Sequence, residues 1–264
     1  MKTLIASFAV TLATAVCADA LLAQGAPSAD PGTYKAPVKV SVERTGPHTL
    51  RLGAVRVDTA SREVSVTGHI NDVTTLEWVA NTVDGFKEYE SAISADTDAI
   101  TFNTAMLLIG LDKAHARVPT QHFDKEPPRG DPVEIWVDWS PAFTPTLLPA
   151  VPLPERPAVV TPLDRSPATR KRVRVEALLL DKRTNTTLSE GPWVYTGSQF
   201  LPGTTSYQAQ LDGVLIGFVH SPAPVIENPR AGAVGAYGSV VLNKAVIPPS
   251  TKVTLIVKAL PAAK

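Results

Sequence analysis

Glu88 and Glu90 are the two side chains whose spacing most directly suggests chemistry, because only Tyr89 separates them. In an extended strand, residues two apart project from the same face, which would place the carboxylates about 7 Å apart. Such a pair suits a hard divalent cation and, less well, an acid/base pair. The pattern favours the plainer interpretation, in which both residues belong to the polar face of an exposed strand.

Arg129 and Asp131 flank Gly130 within a proline-rich stretch. The Arg129 guanidinium could hold a ligand carboxylate through two parallel hydrogen bonds. An adhesion motif is a further interpretation, but a tripeptide this short arises by chance. The sequence favours a turn that Arg129 and Asp131 stabilise by hydrogen bonds.

Ser198 and His220 each follow a predicted strand and could form part of a hydrolase triad with a carboxylate. The Gly-x-Ser-x-Gly elbow is absent, because Gln199 and Phe200 follow Ser198. A turn stabilised by the Ser198 hydroxyl is the simpler interpretation. Asn228 ends the loop that begins at His220 and completes the candidate ligand-binding residues.

No cofactor is predicted, since the chain lacks a phosphate-binding glycine loop, a dinucleotide fingerprint and an EF-hand loop. The remaining histidines have no metal-ligand spacing, and His115 and His122 are expected to be solvated in a polar loop. A divalent metal at the Glu88–Glu90 pair is the alternative left open.

The N-terminus resembles a secretory signal peptide. Lys2 precedes a mostly apolar run over residues 3–16, and Ala18-Asp19-Ala20 offers a cleavage site. This predicts a signal peptide at 1–20, a flexible leader at 21–47, and a periplasmic or secreted protein without a thiol. Lipid attachment through Cys17 is the alternative, although Val16 stands where that signal normally has Gly, Ala or Ser.

Composition excludes several classes of protein. The 264 residues carry 25 basic and 25 acidic side chains, so the electrostatic footprint of a nucleic-acid binder is missing. No apolar stretch after the predicted signal reaches the ~20 residues of a membrane span. The expected partner is therefore a small ligand or an unidentified protein of the cell envelope.

Prolines crowd residues 140–169, which therefore form neither a helix nor a central strand. The pattern predicts an extended connection that interrupts a domain over residues 48–258. The alternative interpretation is that the segment is a proline-rich ligand for a partner domain. Around it, alternating apolar residues predict strands at 55–57, 64–66, 133–139, 173–179 and 252–258. Asp212-Gly213 predicts a hairpin turn between strands at 207–211 and 214–219.

Residues 99–111 predict one buried helix, capped by Asp96 or Asp98 and ended by Gly110. The fold class that follows is mostly β, or α+β: antiparallel sheets in a sandwich-like arrangement with one buried helix.

Several segments resemble the YdjY-like family of bacterial extracytoplasmic proteins, which has no assigned activity. The resemblance spans residues 50–258 or so. It is carried by Leu76-Glu77-Trp78, by 85–91 and 105–111, by Pro127-Pro128-Arg129-Gly130-Asp131-Pro132, by Trp193-Val194-Tyr195-Thr196-Gly197-Ser198, and by 213–229. It implies a location outside the cytoplasm. Where the family tends to carry histidine, this chain has Tyr89 and Asn103, so a metal site built on those histidines does not carry over.

Together these observations predict a non-enzymatic binding module that presents loops at 88–90, 129–131, 196–198 and 220–228. The alternative is a hydrolase-like enzyme, metal-dependent or carboxylate-based, that uses Glu88, Glu90, Asp131 and His220. That enzyme requires the four side chains to converge in one cleft.

Overall fold

A computed structural model describes residues 41–140, 170–230 and 238–261 of the chain. The predicted signal peptide, its Cys17, most of the predicted leader and residues 141–169 of the proline-rich segment lie outside the described residues. Within those three ranges, no helix combines the length and the apolar character needed to cross a membrane.

The described residues form fifteen strands, two α-helices and three short 3-10 turns. The strands are β1 (Val42–Arg44), β2 (Thr49–Leu52), β3 (Val55–Asp58), β4 (Glu63–Ile70), β5 (Trp78–Thr82), β6 (Ser91–Ala95), β7 (Asp131–Trp139), β8 (Lys171–Arg174), β9 (Leu179–Asp181), β10 (Thr186–Thr187), β11 (Trp193–Tyr195), β12 (Val214–Gly217), β13 (Ile226–Glu227), β14 (Val240–Leu242) and β15 (Lys252–Ala259). The helices are α1 (Ala99–Leu108) and α2 (Gln208–Asp212), and the turns are Glu88–Glu90, Lys113–His115 and Val175–Leu178.

Eight strands form a closed barrel in the order β4-β15-β7-β11-β13-β12-β5-β6, and pairing of β4 with β6 closes the ring. The β5–β6 and β12–β13 pairs are parallel, and the other pairs in the ring are antiparallel. The predicted antiparallel sandwich is therefore wrong, and the fold is a mixed barrel. Side-chain alternation indicates which face of a strand is buried, but it does not reveal whether the two edges of a sheet meet.

Strand β4 makes closure possible because its two halves have different partners on one edge. Its first half pairs with β3, and its second half, from Gly68 to Ile70, pairs with β6. Strands β1 to β3 continue the sheet outside the ring, and β8 is added beside β7. A separate three-stranded sheet has the order β10-β9-β14.

Local structure follows the sequence patterns closely in the long elements. The predicted β3–β4 hairpin forms, and the apolar side chains of β7 and β15 that share one face are buried. Helix α1 begins at the predicted cap: the Asp98 carboxylate accepts a hydrogen bond from Thr101 N at 2.9 Å. Leu107 and Leu108 are exposed, so the helix buries one side rather than its whole circumference.

Two shorter elements differ from the prediction. The strand predicted at 173–179 is interrupted by the 3-10 turn Val175–Leu178. The Asp212-Gly213 pair does not connect two strands but ends helix α2, where Gly213 adopts a φ of +68° as the left-handed C-terminal residue. Both hairpin turns and helix ends use glycine at positive φ, so the dipeptide alone does not distinguish them.

The two parallel pairs bring their connecting loops to the same end of the barrel. Trp78 at the start of β5 pairs with Ser91 at the start of β6 and with Gly217 at the end of β12. Residues 83–90 and 218–225 must therefore return along the barrel to begin the next parallel strand. The two loops meet beside the start of β5.

Candidate functional site

A cavity of about 270 Å³ opens where these two loops meet helix α2. Trp78 lies at its base, and His122 contributes from the segment that precedes β7. The lining residues are Trp78, Lys87, His122, Gln208, Asp212, Val214, Ser221, Pro222 and Ala223. The cavity is slightly smaller than the roughly 300–1,000 Å³ typical of drug-sized sites.

Two carboxyl groups, each with a nitrogen-bearing partner, border the cavity. His122 Nε2 lies 3.4 Å from Glu77 Oε1, and Lys87 Nζ lies 3.7 Å from Glu90 Oε2. The His122 ring packs on Phe123 at 4.0 Å and on Trp78 at 5.7 Å between centroids. His122 packs against the barrel on one side, but it lies in a loop with 40% of its side chain exposed, in agreement with the predicted solvated loop residue.

The two carboxyl groups interact, and their pKa values move in opposite directions. Burial acts to raise the pKa of Glu77, but the hydrogen bond with His122 and the charges of His122 and Lys87 outweigh it, so this pKa is lowered. Burial and the nearby charge of Glu77 raise the pKa of Glu90. Burial also raises the pKa of Asp212 on the opposite wall. Titratable groups displaced in this way are concentrated at functional sites.

Buried polar atoms without partners mark the same end of the barrel. Four side-chain atoms have no hydrogen-bond partner among the described residues: Trp78 Nε1, Glu90 Oε2, His220 Nε2 and Glu227 Oε2. Unpaired buried groups are uncommon in folded proteins, because each costs about 1–3 kcal/mol. Trp78 lines the cavity, and Glu90 lies beside its lining residue Lys87. Glu90 Oε2 is 3.7 Å from Lys87 Nζ, so of the two atoms only Trp78 Nε1 both belongs to a lining residue and has no polar partner among the described residues.

Two larger cavities lack these features. One of about 400 Å³ lies on the β2–β3–β4 surface between Thr45 and Ser65. Another, of about 770 Å³, lies beside Ser140 and Arg170, which border the undescribed segment 141–169. Neither is lined by a residue that carries one of the unpartnered buried atoms, so the cavity at Trp78 is the candidate site.

Glu227 carries a carboxyl group that is fully buried and has one oxygen without a hydrogen-bond partner among the described residues. It is fully buried at the end of β13, and only its Oε1 has a hydrogen bond, from Ser221 N at 3.2 Å. Burial raises its pKa well above the ordinary value. Glu227 Oε2 also lies close to the backbone of Gly217. If residue 217 carried a side chain, its Cβ would be 2.9 Å from Glu227 Oε2.

The free energy of unfolding should therefore fall as pH rises above about 4.5, the range in which unfolded Glu227 ionises while folded Glu227 keeps its proton. Replacing Glu227 by Gln removes this dependence, so E227Q should gain stability relative to the wild type between pH 5 and pH 8. The expected gain is about 1.4 kcal/mol for each unit by which the folded pKa is raised within that range. Urea unfolding at the two pH values measures it, and an unchanged difference between the two proteins would contradict it.

Glu88 and Glu90 do not share a strand face. They lie in the 3-10 turn Glu88–Glu90, and their carboxylates have different neighbours. Glu88 Oε1 lies 3.8 Å from His69 Nε2 in a half-exposed position. Glu90 turns instead towards Lys87 and Glu77 at the cavity. Of this pair, only Glu90 belongs to the candidate site.

Arg129 and Asp131 stabilise local structure next to β7. The Arg129 backbone bridges to Arg117, while its side chain is exposed and lies 4.0 Å from Glu126. Asp131 accepts a hydrogen bond from Asp112 N at 2.7 Å and pairs with His115 at 2.7 Å. This hydrogen bond and the charge of Asp131 raise the pKa of His115. Neither Arg129 nor Asp131 lines the cavity.

Ser198, His220 and Asn228 are buried in the loops that flank β12 and β13. The Ser198 hydroxyl donates to Ala223 O at 2.6 Å and accepts from Ala209 N at 3.2 Å, so it is engaged in holding a turn. His220 Nδ1 lies 2.8 Å from Asp124 O, and Asn228 Nδ2 donates to Phe218 O at 3.0 Å. These contacts shape the loop 218–225, which supplies one wall of the cavity.

The four residues required for the predicted enzyme have separate partners: His69 for Glu88, Lys87 for Glu90, His115 for Asp131 and Asp124 for His220. The structure does not bring them together in one cleft. Across residues 41–140, 170–230 and 238–261, no group of three or more His, Cys, Asp or Glu side chains is arranged to hold a metal ion.

Sequence reasoning missed most of the cavity residues, including Glu77, Lys87, His122 and Asp212. One signal was present: Glu77 directly precedes a strand in which every residue is buried. An acidic residue at the entrance to a fully buried strand needs a partner, because a buried charge is unfavourable without one. That partner, His122, lies 45 residues away, and its approach could not be read from spacing.

Comparison with known proteins gave one finding. A family model described as the YdjY domain matches residues 55–258. The match covers most of the chain and includes the cavity and all eight strands of the barrel except the last residue of β15. No curated protein and no solved structure matches the chain.

Proposed function

The chain belongs to the YdjY domain family, and from that premise we propose that it is a binding module of the bacterial envelope that holds a small ligand in the cavity at Trp78. The observation that carries the proposal is the combination of a cavity, the Lys87–Glu90 and His122–Glu77 pairs on its border and the unpartnered buried atom Trp78 Nε1. In this proposal the module is non-enzymatic and holds no resident cofactor.

The proposed location rests on the N-terminal sequence. Lys2, the apolar run at 3–16 and the small residues Ala18 and Ala20 fit a signal peptide that directs the chain to the periplasm or the exterior. Attachment of lipid at Cys17 would tether the same module to a membrane. Metabolic labelling with a clickable fatty acid distinguishes the two, because only the lipoprotein takes up the label.

Ligand binding should raise the melting temperature in a screen of sugars, amino acids, nucleosides and carboxylic acids. At a concentration 100 times Kd, a ligand adds about 2.7 kcal/mol of stability. In a domain of this size that corresponds to a rise of roughly 5–11 °C. Replacing His122 by Ala should abolish the rise, because it removes one wall of the cavity and leaves Glu77 without its partner.

The control is His115→Ala. His115 also pairs with a carboxylate, Asp131, but it does not line the cavity. The ligand should therefore stabilise H115A as much as the wild type. If no compound in the screen stabilises the protein, or if H122A responds as H115A does, the proposed function is wrong.

A carboxylate-based hydrolase is a second candidate, favoured by the opposite pKa displacements of Glu77 and Glu90. Such displacements separate a general acid from a general base. Turnover of chromogenic glycosides and esters should then fall by about 100-fold or more in both E77Q and E90Q. Turnover that survives both substitutions would exclude the pair, and absence of turnover in the wild type would leave the binding module.

A further inference from the structure

The chemistry of the cavity indicates which class of ligand it accepts, and this step rests on the proposed function. Its charged and titratable side chains have partners within the protein: Lys87 with Glu90, and His122 with Glu77. Asp212 has a raised pKa and receives a hydrogen bond from Gln208 Nε2 at 3.4 Å. A charged ligand would have to disrupt one of these pairs or lie beside a like charge, and both are unfavourable. The walls therefore favour a neutral polar molecule.

The unpartnered atoms specify the polar contacts. Trp78 Nε1 can only donate, and it has no acceptor among the described residues. Glu90 Oε2 lies 3.7 Å from Lys87 Nζ, so the carboxylate is ion-paired without a hydrogen bond at that atom, and its side chain is 19% exposed. A hydroxyl group donates and accepts at the same time, so a molecule with several hydroxyls can accept from Trp78 and donate to Glu90.

Two exposed aromatic side chains flank Lys87 at the cavity border. Phe86 is 66% exposed and Tyr89 is 58% exposed. Their rings meet edge to face with centroids 6.3 Å apart, and Lys87 Nζ lies 5.6 and 5.7 Å from the two centroids. Aromatic groups exposed beside a polar cavity are characteristic of binding sites for amphipathic ligands. The C–H face of a sugar ring packs on such a surface while its hydroxyls point away.

We infer that the cavity binds a neutral saccharide, with a sugar ring packed against the edge-to-face pair of Phe86 and Tyr89 and its hydroxyls reaching Trp78 Nε1 and Glu90. The volume of about 270 Å³ suits a single sugar unit. Further units of a chain would continue over the open surface beside Tyr89. The paired charged groups of the walls, the unpartnered donor Trp78 Nε1 and the exposed aromatic border all point to this one class of ligand.

The test is a titration with glucose, galactose, N-acetylglucosamine and their β1,4-linked disaccharides. Calorimetry and saturation-transfer NMR measure the binding. Glucosamine and glucuronic acid serve as the cationic and anionic analogues. At least one neutral sugar should bind, and F86A and Y89A should each weaken it by about tenfold through loss of the stacking surface. W78F, which keeps an aromatic ring but removes the N–H, should weaken it by about fivefold.

Phe200→Ala is the matched control, because Phe200 is also 58% exposed but packs on Tyr207, whereas Phe86 and Tyr89 pack on the cavity residue Lys87. It should bind as the wild type does. Binding of only the charged analogues, or binding of neutral sugars that F86A and Y89A leave unchanged, overturns the saccharide inference. So does a cavity ligand from another class in the thermal screen, although that result would leave the proposed function standing.

Discussion

Replacing Glu176 by Ala should lower the free energy of unfolding by about 3–5 kcal/mol, because Arg230 loses its carboxylate partner and Arg174 retains only Glu134, at 2.8 Å. The Glu176 carboxylate is fully buried and accepts hydrogen bonds from Arg174 and Arg230 at 3.0 Å and from Trp193 Nε1 at 3.1 Å. The two guanidinium groups also lie over Trp136 and Trp193, at 5.2 and 5.3 Å from the ring centroids. Urea unfolding at pH 7 measures the loss.

Glu43→Ala is the control for this substitution. Glu43 also pairs with an arginine, Arg51, at 2.6 Å, but both side chains are about half exposed. Exposed pairs contribute about 0–1 kcal/mol. E176Q retains the shape of the side chain without its charge, so its loss should fall between those of E176A and E43A. If E176A loses no more stability than E43A, the buried network does not stabilise the fold.

Replacing Gly68 by Ala should lower the free energy of unfolding by about 3 kcal/mol, near the upper end of the usual cost of overpacking. Gly68 lies on β4 where that strand begins to pair with β6 and closes the barrel. A Cβ at this position would lie 2.3 Å from Ser94 O and 3.0 Å from Ala95 Cα. Both are backbone atoms that cannot rotate away, so the strands must separate at the closing pair.

Gly46→Ala is the control for this substitution. It tests whether the loss of stability in G68A comes from the clash at the β4–β6 pair rather than from the replacement of a glycine as such. A Cβ at Gly46 would meet only the side chain of Thr49, with Oγ1 at 2.6 Å, and that hydroxyl can rotate. G46A should therefore change stability far less than G68A. Hydrogen exchange of the β4 and β6 amides should also quicken in G68A alone. Equal stability of the two variants would show that the β4–β6 contact tolerates a side chain.

The sequence predicted long elements better than short ones. Strands β7 and β15 have enough alternating residues to define a buried face, and α1 carries both a capping Asp98 and a terminating Gly110. Short segments have too few residues to repeat a pattern or to carry a signal at both ends. Residues 207–213 form a helical turn in which Ala209 is the buried residue, and their few side chains carry no clear period.

The candidate site was less accessible from the sequence than the strands were. Reasoning from spacing selected Glu90 and His220, which do lie near the end of the barrel that carries the cavity. It also treated Glu88 as the partner of Glu90. The structure instead places Glu77 beside Glu90, because the parallel β5–β6 pair sets the start of one strand next to the start of the other. Proximity of this kind depends on strand direction, which side-chain alternation does not encode.

By itself, the sequence determined the family, the predominance of β-structure, the single long helix and the buried faces of the main strands. These properties follow from local side-chain periodicity, capping residues and motifs that neighbouring residues supply. Only the tertiary structure decided the closure of the barrel, the cavity at Trp78 and the displaced pKa values of Glu77, Glu90 and Glu227. Each of these arises where segments distant in the chain meet, and burial and charge at such contacts depend on the path of the whole chain.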